Sequence, residues 1–229
     1  MLRDLDADRR ALHDARLMLL FTPELCGARD PAAVLAGVLP HVDVVQVRPK
    51  PLGSSAPCAA RELLEWTRTV LGLRARTGAR TIVIVDDRVD VAELLIAEGV
   101  SGVHLGQDDC PVGVARERLG AGPLVGWSTH DFAQLVEAGE LPVDYVGFGP
   151  VHATPTKGYA RGLGAEEAWI ASRSCALPVF PIGGITRENA QELARVGRAA
   201  VGAAILAAPD PERAARELRA LLDPELAEA

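Results

Sequence analysis

Gln46, Arg48 and Lys50 alternate along the short run QVRPK, and alternation in an extended chain puts all three side chains on one face. Burying an amide, a guanidinium and an ammonium together is very costly unless an anion meets them, which points to a phosphate-type ligand. A solvated strand end with a structural ion pair is the plainer alternative. Further along, VDDR (85–88) and HLGQDD (104–109) each close a β-rich run with carboxylates, Asp86 and Asp87 in the first and Asp109 in the second. Facing carboxylates repel unless a cation lies between them or one is protonated. Hard oxygen donors suit Mg²⁺, which commonly binds through one or two carboxylates together with substrate phosphates. Asp87 or Asp109, taken singly, could equally cap the helix that follows it.

Three later motifs add polar groups. GWSTH (126–130) offers the Ser128 hydroxyl as a donor to a ligand or as a helix cap; nothing around it resembles a nucleophile elbow. GPVHATPTKG (149–158) sets Thr154, Pro155, Thr156 and Lys157 before a glycine-bearing stretch, 158–164, that could fold over a bound molecule or be a plain surface loop. PIGGIT (181–186) carries Gly183 and Gly184, and Gly202-Ala203 follows later; glycines there let backbone N–H groups approach an anion, or simply permit a tight turn. Two anion sites of different construction result. One is built from Arg48, Lys50 and Lys157 with Mg²⁺ and suits a diphosphate. The other is built from backbone and suits a monophosphate ester. An enzyme with both should join two phosphorylated small molecules and expel pyrophosphate.

These groups recur at one kind of place, the end of a β-rich run. Runs at 17–22, 42–48, 81–86, 102–106, 124–128, 145–151, 179–183 and 199–204 alternate with helical stretches at 31–39, 57–77, 89–98, 112–119, 132–138, 165–173, 187–195 and 211–222. Strict alternation implies parallel strands joined by helical crossovers. A doubly wound open sheet is the rival, but it usually opens on a glycine-rich dinucleotide fingerprint, and none follows the first run. Eight units in 229 residues fit a single (βα)₈ TIM barrel, a fold whose active sites sit at the C-terminal ends of its strands. Residues 1–15 read as an N-terminal extension and 223–229 as a polar tail.

Composition narrows the partners. A formal charge of −7 with no basic run argues against nucleic acid. No apolar stretch reaches the roughly 18 residues of a membrane span. The first residues, MLRDLDADRR, lack the apolar core of a signal peptide. Cys26, Cys58, Cys110 and Cys175 are scattered without a CxxC pair, against zinc or a disulfide framework. A cytoplasmic location is expected, and a homo-oligomer is compatible with all of this.

Taken together and in this order, QVRPK, VDDRVDVA, HLGQDD, GWSTH, GPVHATPTKG and PIGGIT resemble thiamine phosphate synthase, over nearly the whole chain from about Leu17 to Pro211. The resemblance implies a (βα)₈ barrel that couples hydroxymethylpyrimidine diphosphate to a thiazole phosphate. On matching positions it implies that Gln46, Arg48 and Lys50, with Ser128 and Lys157, hold the pyrimidine diphosphate, Val47, Pro49 and Asp86 lying among them. It implies Asp87 and Asp109 as Mg²⁺ ligands. Thr154, Pro155, Thr156 and Gly184, with the backbone near Gly202 and Ala203, would meet the thiazole phosphate. Two positions depart from the family. Asp86 stands where the family commonly has Asn, and its repulsion must be offset by the metal, by Arg88 or by protonation. Ala203 stands where a serine is common, leaving backbone N–H groups to bind the phosphate. A thiazole tautomerase using His130, and a catalytically silent binder of thiamine precursors, are the alternatives.

Overall fold

The computed structural model describes residues 5–54, 56–153 and 162–223. Eight strands form one parallel sheet: β1 (Leu17–Phe21), β2 (Val44–Val47), β3 (Ile82–Asp86), β4 (Gly102–Leu105), β5 (Leu124–Thr129), β6 (Tyr145–Phe148), β7 (Val179–Pro181) and β8 (Ala199–Val201). Each pairs with its neighbour in sequence, and β8 returns to pair with β1 in parallel. A parallel bridge between Ile182 and Ala200 joins the two ends of the sheet, so the barrel closes and the doubly wound alternative is excluded.

The helices are α1 (Leu5–Asp14), α2 (Pro31–Val38), α3 (Ala60–Thr77), α4 (Val89–Leu95), α5 (Val112–Leu119), α6 (Phe132–Ala138), α7 (Ala165–Ser174), α8 (Ala203–Leu206) and α9 (Pro211–Leu221). Sequence explains several of their starts. Asp30, Asp131 and Asp210 accept hydrogen bonds from Ala32, Gln134 and Arg213 N–H respectively, satisfying donors that an uncapped first turn leaves open. Pro31 and Pro211 occupy first-turn positions, where a missing N–H costs nothing.

Strand parity divides the side chains into two layers. Val45, Val47, Val83, Val85, Val103, Leu105, Val125, Trp127, Val146 and Phe148 face outward and pack under the helices. Met18, Val44, Ile82, Ile84, Leu124, Tyr145, Phe180 and Ala200 fill the interior. Leu12 of α1 and Ala15 just after it join that inner cluster, so residues expected as an extension pack beneath the barrel. Arg9 Nε on α1 reaches the Asp144 carboxylate at 2.9 Å, and Asp144 also accepts from Arg116 and from Val125 N–H. Two residues beyond Val44, Ile84, Gly102 and Gly126, the same inward parity yields Gln46, Asp86, His104 and Ser128. The interior therefore changes from apolar floor to polar mouth within each strand.

Several element bounds differ from the sequence expectation, and three of the differences have a visible cause. The helix expected over 187–195 shortens to a single 3₁₀ turn, Ala190–Leu193. The Asn189 side chain is the reason: it accepts from Thr186 N–H and donates to the Gly184 carbonyl, competing with helical backbone bonds. The last strand stops at Val201 rather than at 204, because the chain turns at Gly202 (φ −118°, ψ −83°) and enters α8. The sixth ends at Phe148, where the Gly149–Pro150 bond, in the cis form, leaves the ladder. No helix among the described residues is long and apolar enough to cross a membrane.

Candidate active site

Adjacent strands β2 and β3 deliver their last inward residues to one place. The Gln46 amide donates to Asp86 Oδ1, and Arg48 Nε lies 3.4 Å from Asp86 Oδ2. Lys50 Nζ sits between two carboxylates, 2.6 Å from Asp87 Oδ2 and 3.5 Å from Asp86 Oδ2. Asp87 is the sole non-glycine among the described residues with a positive φ, 59°. Aspartate tolerates this left-handed conformation better than most residues. The turn at Asp87 leaves its carboxylate able to accept both Lys50 and the Cys58 N–H, the latter at 3.0 Å. From the next loop, Asp109 closes a turn through the Gly106 N–H at 2.7 Å and comes within hydrogen-bonding reach of Asp87. Neither aspartate caps its following helix; α4 and α5 begin without side-chain caps.

Burial sets the charge states. Removal from water, with the neighbouring Asp87 charge, pushes the Asp86 carboxyl up to about 6 against the pull of Lys50, Arg48 and Gln46. Burial also pushes Asp87 upward, but the hydrogen bond and charge of Lys50, with the Cys58 N–H, outweigh it and hold Asp87 below the usual carboxylate range. Asp109 is held above that range by burial and by the charge of Asp87, the Gly106 N–H opposing. Lys50 loses hydration too, yet its two carboxylate neighbours raise it, so it stays an ammonium. The Cys58 thiol is pushed far up, mainly by burial, and its Sγ lies 3.8 Å from Asp86 Oδ2. Cys58, Asp86 and Asp87 are close enough to share a cation, but the Lys50 ammonium already occupies that role.

Of the three possible offsets for Asp86, Arg88 does not serve, because its guanidinium turns to Asp90 at 2.5 Å and 2.8 Å; Lys50 and Arg48 face Asp86 instead. Val47 is fully buried in the outward layer, so any contact it makes at the mouth is through its main chain. Ser128 is the last inward-facing residue of β5, with its Oγ 2.9 Å from His104 Nε2. The other ring nitrogen of His104, Nδ1, lies 3.1 Å from the Tyr145 hydroxyl. Gly184 (φ 65°) allows the loop after β7 to press against the loop after β6; a Cβ there would sit 2.5 Å from the Ala153 carbonyl oxygen. Gly202 and Ala203 lie at the C-terminal end of β8, where α8 begins. Thr154, Pro155, Thr156 and Lys157 fall outside the described residues, as does most of 158–164. Sequence reasoning missed the Cys58 N–H, and a cysteine in a loop gives no signal for such a role. It also missed Tyr145, although inward parity beside His104 pointed there.

A cleft of about 540 Å³ opens beside this cluster, lined by Asp87, Asp90, Asp108 and Asp109 together with Arg88 and Arg118. The mouth thus combines cations, paired carboxylates and a carboxylate-rich opening, a combination suited to a metal-bridged polyanion.

Known proteins agree with this reading of the fold. The family model described as thiamine monophosphate synthase matches residues 17–207. A thiamine-phosphate synthase of Mycobacterium sp. (strain KMS) is 42% identical over 196 residues, covering 82% of each chain. One from Chlorobium luteolum is 35% identical over 212 residues, covering 88% of this chain and 94% of its own. Among solved structures, a thiamine phosphate pyrophosphorylase from Pyrococcus furiosus superposes with a TM-score of 0.76 at 30% identity, over 93% of this chain and 96% of that one. A 3-hexulose-6-phosphate synthase from Salmonella typhimurium, at 17% identity and a TM-score of 0.64, covers 90% of this chain and 98% of its own and shares the fold alone. With a family match spanning the barrel and relatives alike along four fifths of its length or more, the chain belongs to the thiamine monophosphate synthase family.

Proposed function

We propose that this chain is a thiamine-phosphate synthase, coupling hydroxymethylpyrimidine diphosphate to a thiazole phosphate to give thiamine monophosphate and pyrophosphate. The carrying observation is the convergence of Arg48, Lys50, Asp86, Asp87 and Asp109 at the mouth. In the reaction the bond between the pyrimidine methylene carbon and the diphosphate oxygen breaks, and the diphosphate leaves with the electron pair. The thiazole nitrogen then donates its lone pair to that carbon. This nitrogen carries no proton, so no strong general base is required.

The residues act by positioning charge. Arg48 and Lys50 face the departing diphosphate, where negative charge grows as the bond stretches, and Lys157 joins them on the sequence match. In the protein alone, however, both cations already face carboxylates, leaving little surplus positive charge for a diphosphate. The paired oxygens of Asp87 and Asp109, with one carboxyl lowered and the other raised, form a hard donor set that fits Mg²⁺. Bound there, the ion would supply Lewis-acid stabilisation of the leaving group. Ser128 would donate a hydrogen bond to the diphosphate. Gln46, oriented by Asp86, would read the pyrimidine, with Val47 and Pro49 completing that wall. The thiazole phosphate would meet Thr154, Pro155, Thr156, Gly184 and the backbone at Gly202 and Ala203.

The tautomerase alternative draws no support, since His130 Nδ1 is engaged by the Gly149 carbonyl at 2.7 Å and the cations of a diphosphate site are retained. Phosphorylated small-molecule substrates and four free cysteines fit a cytoplasmic setting. The test is pyrophosphate release with both substrates, with and without Mg²⁺. Metal-dependent release that collapses in Asp87→Ala and Asp109→Ala supports the reading. Binding of both substrates without release would instead identify a silent binder.

A further inference from the structure

Three strands bring Tyr145, His104 and Ser128 into a chain that runs from the barrel floor to its mouth. In the register, His104 on β4 pairs with Gly126 on β5, and Gly126 pairs with Tyr145 on β6. Gly126 lies between two large inward rings, and a Cβ at that position would fall 2.1 Å from Tyr145 Cζ and 2.5 Å from His104 Nδ1. Its absence is what lets the Tyr145 hydroxyl cross one strand and reach His104 Nδ1 at 3.1 Å. One layer higher, His104 Nε2 meets Ser128 Oγ at 2.9 Å. Opposite Ser128 in the register stands Gly147, again without a side chain, and a Cβ there would lie 3.6 Å from His104 Cε1. Gly126 is thus the position that makes room for both rings, whereas a Cβ at Gly147 would only touch the imidazole at ordinary contact distance.

Proton bookkeeping fixes the direction of the chain. Tyr145 is fully buried, and burial pushes its phenol well above the ordinary value, so the hydroxyl keeps its proton. Among the described residues its hydrogen-bond partner is His104 Nδ1. If Nδ1 carried the ring proton, the phenol proton would be left buried without an acceptor, which is costly. The phenol therefore donates to Nδ1, the ring proton sits on Nε2, and Nε2 donates to Ser128 Oγ. A hydroxyl oxygen that accepts from the ring directs its own proton elsewhere.

We infer that Tyr145 and His104 are positioning residues that hold the Ser128 hydroxyl as a donor directed away from the ring, where it meets an oxygen of the departing diphosphate. That last contact rests on the function proposed above. Neither Tyr145 nor His104 needs to touch the substrate for this effect.

The test pairs a spectroscopic readout with kinetics on the full chain. Nitrogen-15 NMR of histidine-labelled protein, with the His104 signals assigned by His104→Gln, should show the proton on Nε2. In Tyr145→Phe, which keeps the ring but removes the hydroxyl, the two tautomers should mix. The same variant should lower kcat about tenfold, the loss of one oriented hydrogen bond, with KM for each substrate within about twofold. Ser128→Ala should fall by a similar factor, and the double variant should be no slower than Ser128→Ala alone. A proton on Nδ1 in the unaltered protein, full turnover in Tyr145→Phe, or multiplying losses in the double variant would each overturn the inference. The spectrum needs no substrate. Should the unaltered protein release no pyrophosphate, the proposed function falls, and the tautomer alone then decides the relay; it also decides if Tyr145→Phe does not fold.

Discussion

Replacing Lys50 by methionine isolates the charge at the centre of the cluster, because the methionine stem keeps most of the volume while the ammonium disappears. In the intact protein that ammonium lies 2.6 Å from Asp87 and 3.5 Å from Asp86, and all three side chains are buried. Removing one partner of a buried pair leaves an uncompensated charge and typically costs 3 kcal/mol or more, so Lys50→Met should destabilise by about 3 kcal/mol. With a urea m-value of roughly 3 kcal/mol/M, the midpoint should fall by about 1 M. Asp86→Asn then serves as the control. Alone it removes a carboxyl that burial already disfavours, while Asp87 still holds Lys50, so the change should stay within about 1 kcal/mol. Combined with Lys50→Met it should restore about half of the loss, because one of the two stranded carboxylates is gone; the coupling should reach about 1.5 kcal/mol. Equilibrium urea unfolding of the four proteins near neutral pH, followed by circular dichroism, measures all of this. An unchanged midpoint in Lys50→Met, or a further drop on adding Asp86→Asn, would refute the electrostatic account.

Other expectations test separate parts of the structure. Gly126→Ala places a methyl group 2.1 Å from Tyr145 and should lower stability by about 3 kcal/mol, visible as a reduced Tm; an unaltered Tm would mean the rings have room to move. Cys26 and Cys58 are buried, and burial keeps both thiols protonated above their ordinary range, so Ellman's reagent should react quickly only at the partly exposed Cys110 and Cys175. Rapid labelling of Cys58, read by peptide mass analysis, would contradict that. Arg29 donates to the Ala208 carbonyl at 2.6 Å and to the Leu206 carbonyl, fastening the end of α8. Arg29→Ala should therefore loosen the turn carrying Gly202 and Ala203 and raise KM for the thiazole phosphate several-fold more than for the pyrimidine diphosphate. An equal rise in both would detach α8 from the phosphate site.

Much of this molecule is written in local sequence. Strand and helix alternate with a period that permits only parallel strands, and inward parity from Val44 to Gln46 or from Gly126 to Ser128 follows from the two-residue repeat of an extended chain. Asp30, Asp131 and Asp210 announce their helices because a cap acts within four residues. Those features are short-range, so one sequence suffices to see them. Other outcomes required the closed barrel. Whether Asp87 would cap a helix or face Asp109 depended on a backbone turn and on how two loops approach. Arg88 chose Asp90 over Asp86, and no count of charges distinguishes those partners. The approach of Cys58 to Asp87 and the reach of Tyr145 across Gly126 join residues 29 and 41 positions from their partners, in the second case with His104 as the partner. Such contacts have energies fixed by distance and burial, quantities that exist only once the strands have been brought side by side.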